Sequence, residues 1–293
     1  TNDVDTLYYK TYSVVYLVQD SSNNRITFVR EVEVYWPYSC IIIGHGLGYY
    51  GIMNTEEAAR NAINKMHYPM LEVDIYTTKD GVFVCSHDAS FGGIAIKTSN
   101  WDDLKDVKIT QTRHSGYPAQ YGLAPDTPYT SGILRLDTLL DICKEYNTKL
   151  KIELKQLFTD KQMADLMKLL EDHNVMDLIS FTAGSSLKPN LIWIREQGYK
   201  NEIQYLAWTC ESQTTLDFCI KYNINVSICV TYGNYANSDE WIKKYKDAGL
   251  KVSCFTFQYT EDYSVVQKWI DKGVDFCTVD WHDPKVLKLP LAK

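Results

Sequence analysis

The sequence predicts an α/β protein, a single (β/α)8 TIM barrel behind an N-terminal β-hairpin extension, and three observations carry that expectation. From residue 40 onward, eight short apolar runs follow one another, most of them separated by amphipathic stretches of helical period. The chain has 293 residues, which suits one barrel of about 250 residues with an appendage. Before residue 38 the rhythm differs, with apolar and polar residues alternating on either side of a turn-like SSNN.

Taken in order, the stretch from Tyr9 to Trp36 reads as a β-hairpin turning at residues 21–24. Two strands alone are marginal in water, so this hairpin is expected to pack on the barrel or to be the tail of an upstream domain. The boundary falls at residue 38, giving a hairpin extension over 1–38 and a barrel domain over 39–293. The barrel strands are expected at CIIIG (40–44), MLEVDIY (70–76), LKIEL (150–154), LISFT (178–182), IQYLAW (203–208), VSICV (226–230), KVSCFTF (251–257) and DFCTV (275–279). Between them lie helical stretches such as TEEAARNAINKM, DKQMADLMKLLEDH, SDEWIKKYKDAG and EDYSVVQKWIDKG, the last two closing on a glycine suited to a helix C-terminus. Two interruptions break the alternation. In TTKDGVFVCSHD an Asp80-Gly81 turn folds a strand back beside the second barrel strand. The segment from Ala89 to Ile133 is rich in loops, with little periodicity, and is expected at the barrel mouth, where it shapes the substrate pocket.

Composition narrows the function classes. Hydrophobic residues are 45% and charged residues 23%, the balance of a globular protein with a large core. The net charge of −7 gives no basic footprint for nucleic acid or an anionic membrane, which favours a small-molecule or polymeric substrate. No run of about 18 apolar residues is present, so no transmembrane segment is expected. The opening TNDVDTLYYK lacks the basic and apolar regions of a signal peptide, and it begins without methionine, as a processed or excised chain does; cytoplasmic and secreted locations both stay open. Eight cysteines with no CxxC pair, most of them in apolar runs (Cys40, Cys85, Cys229, Cys254, Cys277), read as buried thiols rather than disulfides or a zinc site.

The chemistry is carried by strand alternation. In MLEVDIY, Glu72 and Asp74 share one face while Leu71, Val73 and Ile75 share the other. In KIELK, Lys151, Glu153 and Lys155 share a face opposite Ile152 and Leu154. With the apolar sets under the helices, Glu72, Asp74 and Glu153 point into the barrel, and an oxygen-rich trio of this kind suits one divalent cation, Mg²⁺ or Ca²⁺. The competing arrangement is a salt-bridge network of Glu72 and Asp74 with Lys151 and Lys155. His45 and His87 each follow a predicted strand, at the end where barrel enzymes keep catalytic groups, and histidine titrates near neutrality. His67, His114, His173 and His282 have no such placement and read as surface or packing residues.

These motifs, GHG at 44–46, NTEEAARNAI, LEVDIYTTKDGVFVCSHD, KIELK and CTVDWHDP at 277–284, together resemble the glycerophosphodiester phosphodiesterases. The resemblance implies that Glu72, Asp74 and Glu153 hold the cation, that His45 and His87 are an acid-base pair, and that Lys155 contacts the phosphate. It also implies a phosphodiesterase acting on glycerophosphodiesters or related polyol phosphates, including teichoic-acid-like polymers. Three positions depart from the family's pattern: Gly46 stands where arginine is usual, Met53 where glutamate is common, and Phe255 where tryptophan is frequent. Loss of that arginine leaves a second reading, a catalytically degenerate glycerol-phosphate-binding module of a cell-surface or phage-tail protein. A third, a lipid phosphodiesterase such as a phosphatidylinositol phospholipase or sphingomyelinase D, is disfavoured by the lack of an apolar docking stretch. Trp101, His114, Tyr117 and Tyr121 are the side chains expected to hold larger substrates.

Overall fold

In the computed structural model of the chain, residues 4–6, 9–48, 51–112, 128–231, 235–257 and 262–292 are described. Strands β1 (Thr11–Gln19) and β2 (Arg25–Glu33) pair antiparallel in a sheet of their own. The Asp20 carboxylate closes their turn by accepting the N–H groups of Ser22 and Asn24. There follow β3 (Ile41–Gly44), α1 (Glu56–Asn61), β4 (Met70–Thr77) and β5 (Phe83–Cys85). An insertion then carries β6 (Ser90–Phe91), β7 (Ile94–Ala95), α2 (Trp101–Leu104), β8 (Lys108–Thr112) and β9 (Pro128–Gly132). The chain returns through β10 (Leu134–Arg135) and α3 (Leu136–Tyr146) to β11 (Lys149–Leu154) and α4 (Asp160–Asp172). The remaining units are β12 (Ile179–Ala183), α5 (Lys188–Glu196), β13 (Glu202–Ala207), α6 (Gln213–Tyr222), β14 (Asn225–Cys229), α7 (Ser238–Asp247), β15 (Val252–Phe257), α8 (Tyr263–Asp271) and β16 (Phe276–Val279).

Strands β3, β4, β11, β12, β13, β14, β15 and β16 run parallel in that order, and β16 pairs with β3 to close an eight-stranded barrel. Helix starts are set by side-chain caps: Thr55 accepts from the Ala58 N–H, and Thr159 forms a reciprocal box with Gln162 at the head of α4. Gly249 and Gly273 follow α7 and α8 at positive φ, as the expected C-termini require. Leu71, Val73, Ile75, Ile152 and Leu154 are fully buried in the main core between strands and helices. The opposite face of the same strands lines the barrel. There the base is apolar, with Ile43, Met70 and Phe276 packed together, and every second residue onward is polar: Glu72 then Asp74 on β4, Thr278 then Asp280 from β16. All eight cysteines are buried and free, as expected.

Two expectations need correction. The hairpin does not lay its strands on the barrel: of their side chains only Val14 is buried. What touches the barrel is the chain just outside the strands, where Tyr9 meets Trp36 edge to face at 5.5 Å and its carbonyl accepts the Asn147 side-chain amide. In the Ala89–Ile133 segment, the described residues hold more regular structure than the sequence suggested. Two small antiparallel ribbons, β6–β7 and β8–β9, enclose a second core of Val84, Phe91, Ile96, Leu104 and Ile133. Each element gives this core only one or two side chains, so no periodicity shows in the sequence. Trp101 caps this core and stacks under the Arg135 guanidinium, whereas His114, Tyr117 and Tyr121 lie outside the described residues.

Candidate active site

Neighbouring strands β4 and β11 are in register with Asp74 beside Glu153 and Glu72 beside Lys151. Oxygens of Glu72, Asp74 and Glu153 lie within 4.8 Å of one another at the barrel mouth. Asp74 is held from two sides: its carboxylate accepts the Asn54 amide at 2.9 Å, while its own N–H donates to Asn54 at 3.1 Å. Glu72 accepts the Gly46 N–H at 2.8 Å through one oxygen, and its other oxygen is buried with no hydrogen-bond partner. Burial, followed by the charge of Asp74, pushes the Glu72 carboxyl up to about 8. Glu153 is raised for the same two reasons, against the pull of Lys155. Three crowded carboxylates, two of them buried and one of these with an orphaned oxygen, fit a hard divalent cation, and an all-oxygen donor set fits Mg²⁺ or Ca²⁺ better than zinc.

His45, just past β3, presents Nδ1 to the Asp280 carboxylate at 2.8 Å and Nε2 to Glu72 at 3.9 Å. Burial alone would depress its pKa, but the hydrogen bond and charge of Asp280, then Glu72 and Asp74, overcome this and raise it to about 9. Lys155 bridges Glu153 at 2.9 Å and Asp74 at 3.4 Å. Lys151 turns instead to Thr278 at 2.8 Å and Gln204, so the salt-bridge network weighed from the sequence is present only at Lys155. His87 stands apart, exposed, with Nδ1 2.9 Å from Asp88. It shares with Asn54 the wall of a groove of about 410 Å³, and Asn54 joins that groove to Asp74.

The departures at Gly46 and Met53 meet in space. Gly46 has φ +55, and a Cβ there would come within 2.3 Å of the Met53 terminal methyl. A side chain at 46 would strain the backbone and displace Met53, so Gly46→Arg alone would not restore an arginine contact. Sequence reasoning missed two participants, Asn54 and Asp280. Both stood in quoted motifs, and Asp280 continues the inward alternation from Thr278. Of the other histidines, His173 pairs with Asp141 at the surface, and His282 is fully buried against Tyr263 and Trp281.

A closed parallel barrel whose mouth gathers buried carboxylates and a carboxylate-paired histidine defines the class, a barrel hydrolase. Its sequence matches the glycerophosphoryl diester phosphodiesterase family over residues 45–281; the chain belongs to that family and is a phosphoric diester hydrolase. No curated protein matches it in sequence. Similar solved structures include a glycerophosphodiester phosphodiesterase from Parabacteroides distasonis, 20% identical with a TM-score of 0.64, the match covering 84% of this chain and 94% of that one. A glycerophosphodiester phosphodiesterase from Agrobacterium tumefaciens is 16% identical with a TM-score of 0.63, covering 83% and 96%. A phosphodiesterase from Oleispira antarctica, solved with the product sn-glycerol-3-phosphate, is 18% identical with a TM-score of 0.62, covering 82% and 93%.

The raised groups set a pH dependence for the metal-free protein. Glu72 rises from an ordinary 4.5 to about 8 and His45 from 6.5 to about 9. Both bind protons more tightly folded than unfolded, so their contribution is complete below the unfolded values and is lost as pH climbs through the folded ones. Each proton sets a slope of at most about 1.4 kcal/mol per pH unit. The melting temperature in chelator is therefore expected to fall between pH 5 and 9, and added Mg²⁺ or Ca²⁺ to raise it more at pH 8 than at pH 5. A melting temperature in chelator that is flat over this range would refute the arrangement.

Proposed function

We propose that the chain hydrolyses glycerophosphodiesters or related polyol phosphodiesters, with one divalent cation, Mg²⁺ or Ca²⁺, held by Glu72, Asp74 and Glu153, and with His45 and His87 moving the protons. The observation that carries this reading is the trio of crowded carboxylates with the unpartnered Glu72 oxygen, set beside a histidine fixed by Asp280. When bound, the cation supplies positive charge for the phosphodiester oxygens. Asp280 takes the Nδ1 proton of His45 as a hydrogen bond, which leaves Nε2 aimed at the carboxylate cluster. One histidine accepts the proton of the attacking water or substrate hydroxyl as the new P–O bond forms. The other donates a proton to the departing alcohol as the old P–O bond breaks. Lys155 offers its ammonium to a phosphate oxygen.

The groove beside His87 supports a hydroxyl-rich leaving group, because Ser86, Asp88, Ser90, Thr110 and Gln111 line it. The Oleispira relative's glycerol phosphate agrees with that substrate class. Among the described residues no helix is long and apolar enough to cross a membrane. The loss of the arginine position to Gly46 and Met53 sustains the second reading, a module that binds such compounds without turnover. A panel of phosphodiesters, from a small glycerophosphodiester to a glycerol-phosphate oligomer, assayed with Mg²⁺, Ca²⁺ or chelator, separates the two. Cation-dependent release of a phosphomonoester is the expected result. Binding of the oligomer with no product under any cation would establish the module instead.

A further inference from the structure

Around its rim the barrel mouth has two unlike halves. Strands β16, β3, β4 and β11 bring it Asp280, His45, Glu72, Asp74, Glu153 and Lys155. Barrel strands tilt, and a shear of eight over eight strands lifts the level of the mouth by about one residue per strand beyond the hydrogen-bonded register. From Asp74 and its register partners Glu153, Thr182, Gln204 and Asn225, that level passes through Gly184 after β12, Leu206 and Trp208 at the end of β13, Cys229 on β14 and Phe255 on β15. Ile203, Tyr205 and Ala207 turn outward into the main core, so Gln204, Leu206 and, by the same alternation, Trp208 face the barrel axis. Leu206 and Phe255 are half-buried, and Trp208 is 69% exposed although its carbonyl accepts the Tyr235 hydroxyl at 3.0 Å. Gly184 leaves an opening between the two halves: its backbone is extended, and a Cβ there would meet nothing within 4 Å. We propose that the second half is a wall for a hydrocarbon group on one of the two alcohols of the phosphodiester, with Leu206 and Trp208 as its main contacts and Gly184 as the way in.

This rests on the phosphodiesterase reading above and narrows it to diesters that are polar on the His87 side and apolar on the β13 side. Leu206, Trp208, Cys229 and Phe255 offer between them one indole N–H and one thiol, the thiol on a buried residue. The threonines beside them are turned to the backbone: Thr182 donates to the Gln204 carbonyl, Thr209 accepts the Glu211 N–H, and Thr231 donates to the Thr256 carbonyl. Ser227 and Ser253 lie one inward position deeper than Cys229 and Phe255 and are fully buried. A polyol against this wall would leave hydroxyls short of partners, a cost that a hydrocarbon avoids. Trp208 stands two strands from Glu153 and Lys155, roughly 10 Å at the usual strand spacing. A chain of several carbons spans that distance while its phosphate stays on Lys155, and each methylene covered by the indole leaves water.

Binding of ethyl, hexyl and decyl phosphate with Mg²⁺ present, and turnover of the matching glycerol alkyl phosphodiesters, test this below micelle-forming concentrations. The native chain should bind decyl phosphate at least ~30-fold more tightly than ethyl phosphate, and kcat/KM should rise with chain length by a similar factor. Trp208→Ala should cut that decyl-to-ethyl ratio at least ~5-fold. Gly184→Leu, which the extended backbone admits without strain, should fill the opening and bring the ratio close to one. Equal binding of the three phosphates by the native chain would overturn the proposal, and so would a chain-length preference that both variants retain. Chain-length-dependent binding with no turnover of any diester would sustain the wall and overturn the phosphodiesterase reading. Turnover that ignores chain length would do the reverse.

Discussion

Glu72→Gln should lower turnover at saturating cation by at least ~10³-fold, because it removes one of three charges from the proposed cation site while keeping the side chain's shape. The same change should make the metal-free protein more stable at pH 8. Native Glu72 is buried, crowded by Asp74, and has an oxygen that meets no donor, so in the absence of a cation its ionised form is a burden on the fold. A neutral amide removes that burden. Opposite movements of activity and metal-free stability distinguish a cation ligand from an ordinary structural acid, whose loss would reduce both. Calorimetric titration with Mg²⁺ or Ca²⁺ and thermal denaturation in chelator provide the two readouts. If Glu72→Gln kept turnover within tenfold of the native chain, the proposed cation site would be wrong.

His45→Ala and His87→Ala should each reduce kcat by roughly 10² to 10⁴, the range for loss of a positioned proton donor or acceptor. Exposed His87→Ala should leave thermal stability unchanged, whereas His45→Ala, which strips buried Asp280 of its partner, should also lower the melting temperature. Asp280→Asn should have a smaller effect of a different kind. Asp280 contributes the hydrogen bond and charge that lift His45, so its loss should move the limb of the pH-rate profile that reports His45 to lower pH. A purely structural Asp280 would reduce activity evenly across the profile. Full activity in both alanine variants on the best substrate found would refute the acid-base pair.

The barrel was legible because its strands bury one face in the main core and line the interior with the other, so a period of two survives in the sequence. Each of the eight strands lies within one residue, at each end, of its expected run. The same period exposed Glu72, Asp74 and Glu153 as an inward set. Asn54 was harder to see, since its bond to Asp74 depends on a left-handed loop residue with φ +59 rather than on any strand pattern. The Ala89–Ile133 insertion hid its core by spreading it over very short elements. Gly46 and Met53 read as two separate losses, seven positions apart, and only the fold shows that they fill one space. The hairpin's alternation was plain, but which surface meets it depends on shape, which alternation does not encode.

The pairing of His45 with Asp280 spans 235 positions and straddles the seam where β16 meets β3. Half of this dyad leaves the ribosome almost at the start of the barrel and half almost at its end. A nascent chain can therefore gather its carboxylates on β4 and β11 long before His45 has its orienting partner. The first and last strands zip together late, since a contact so distant in sequence must await closure of the largest loop in the domain. Asp280 thus reaches His45 only once the last strand has closed the barrel.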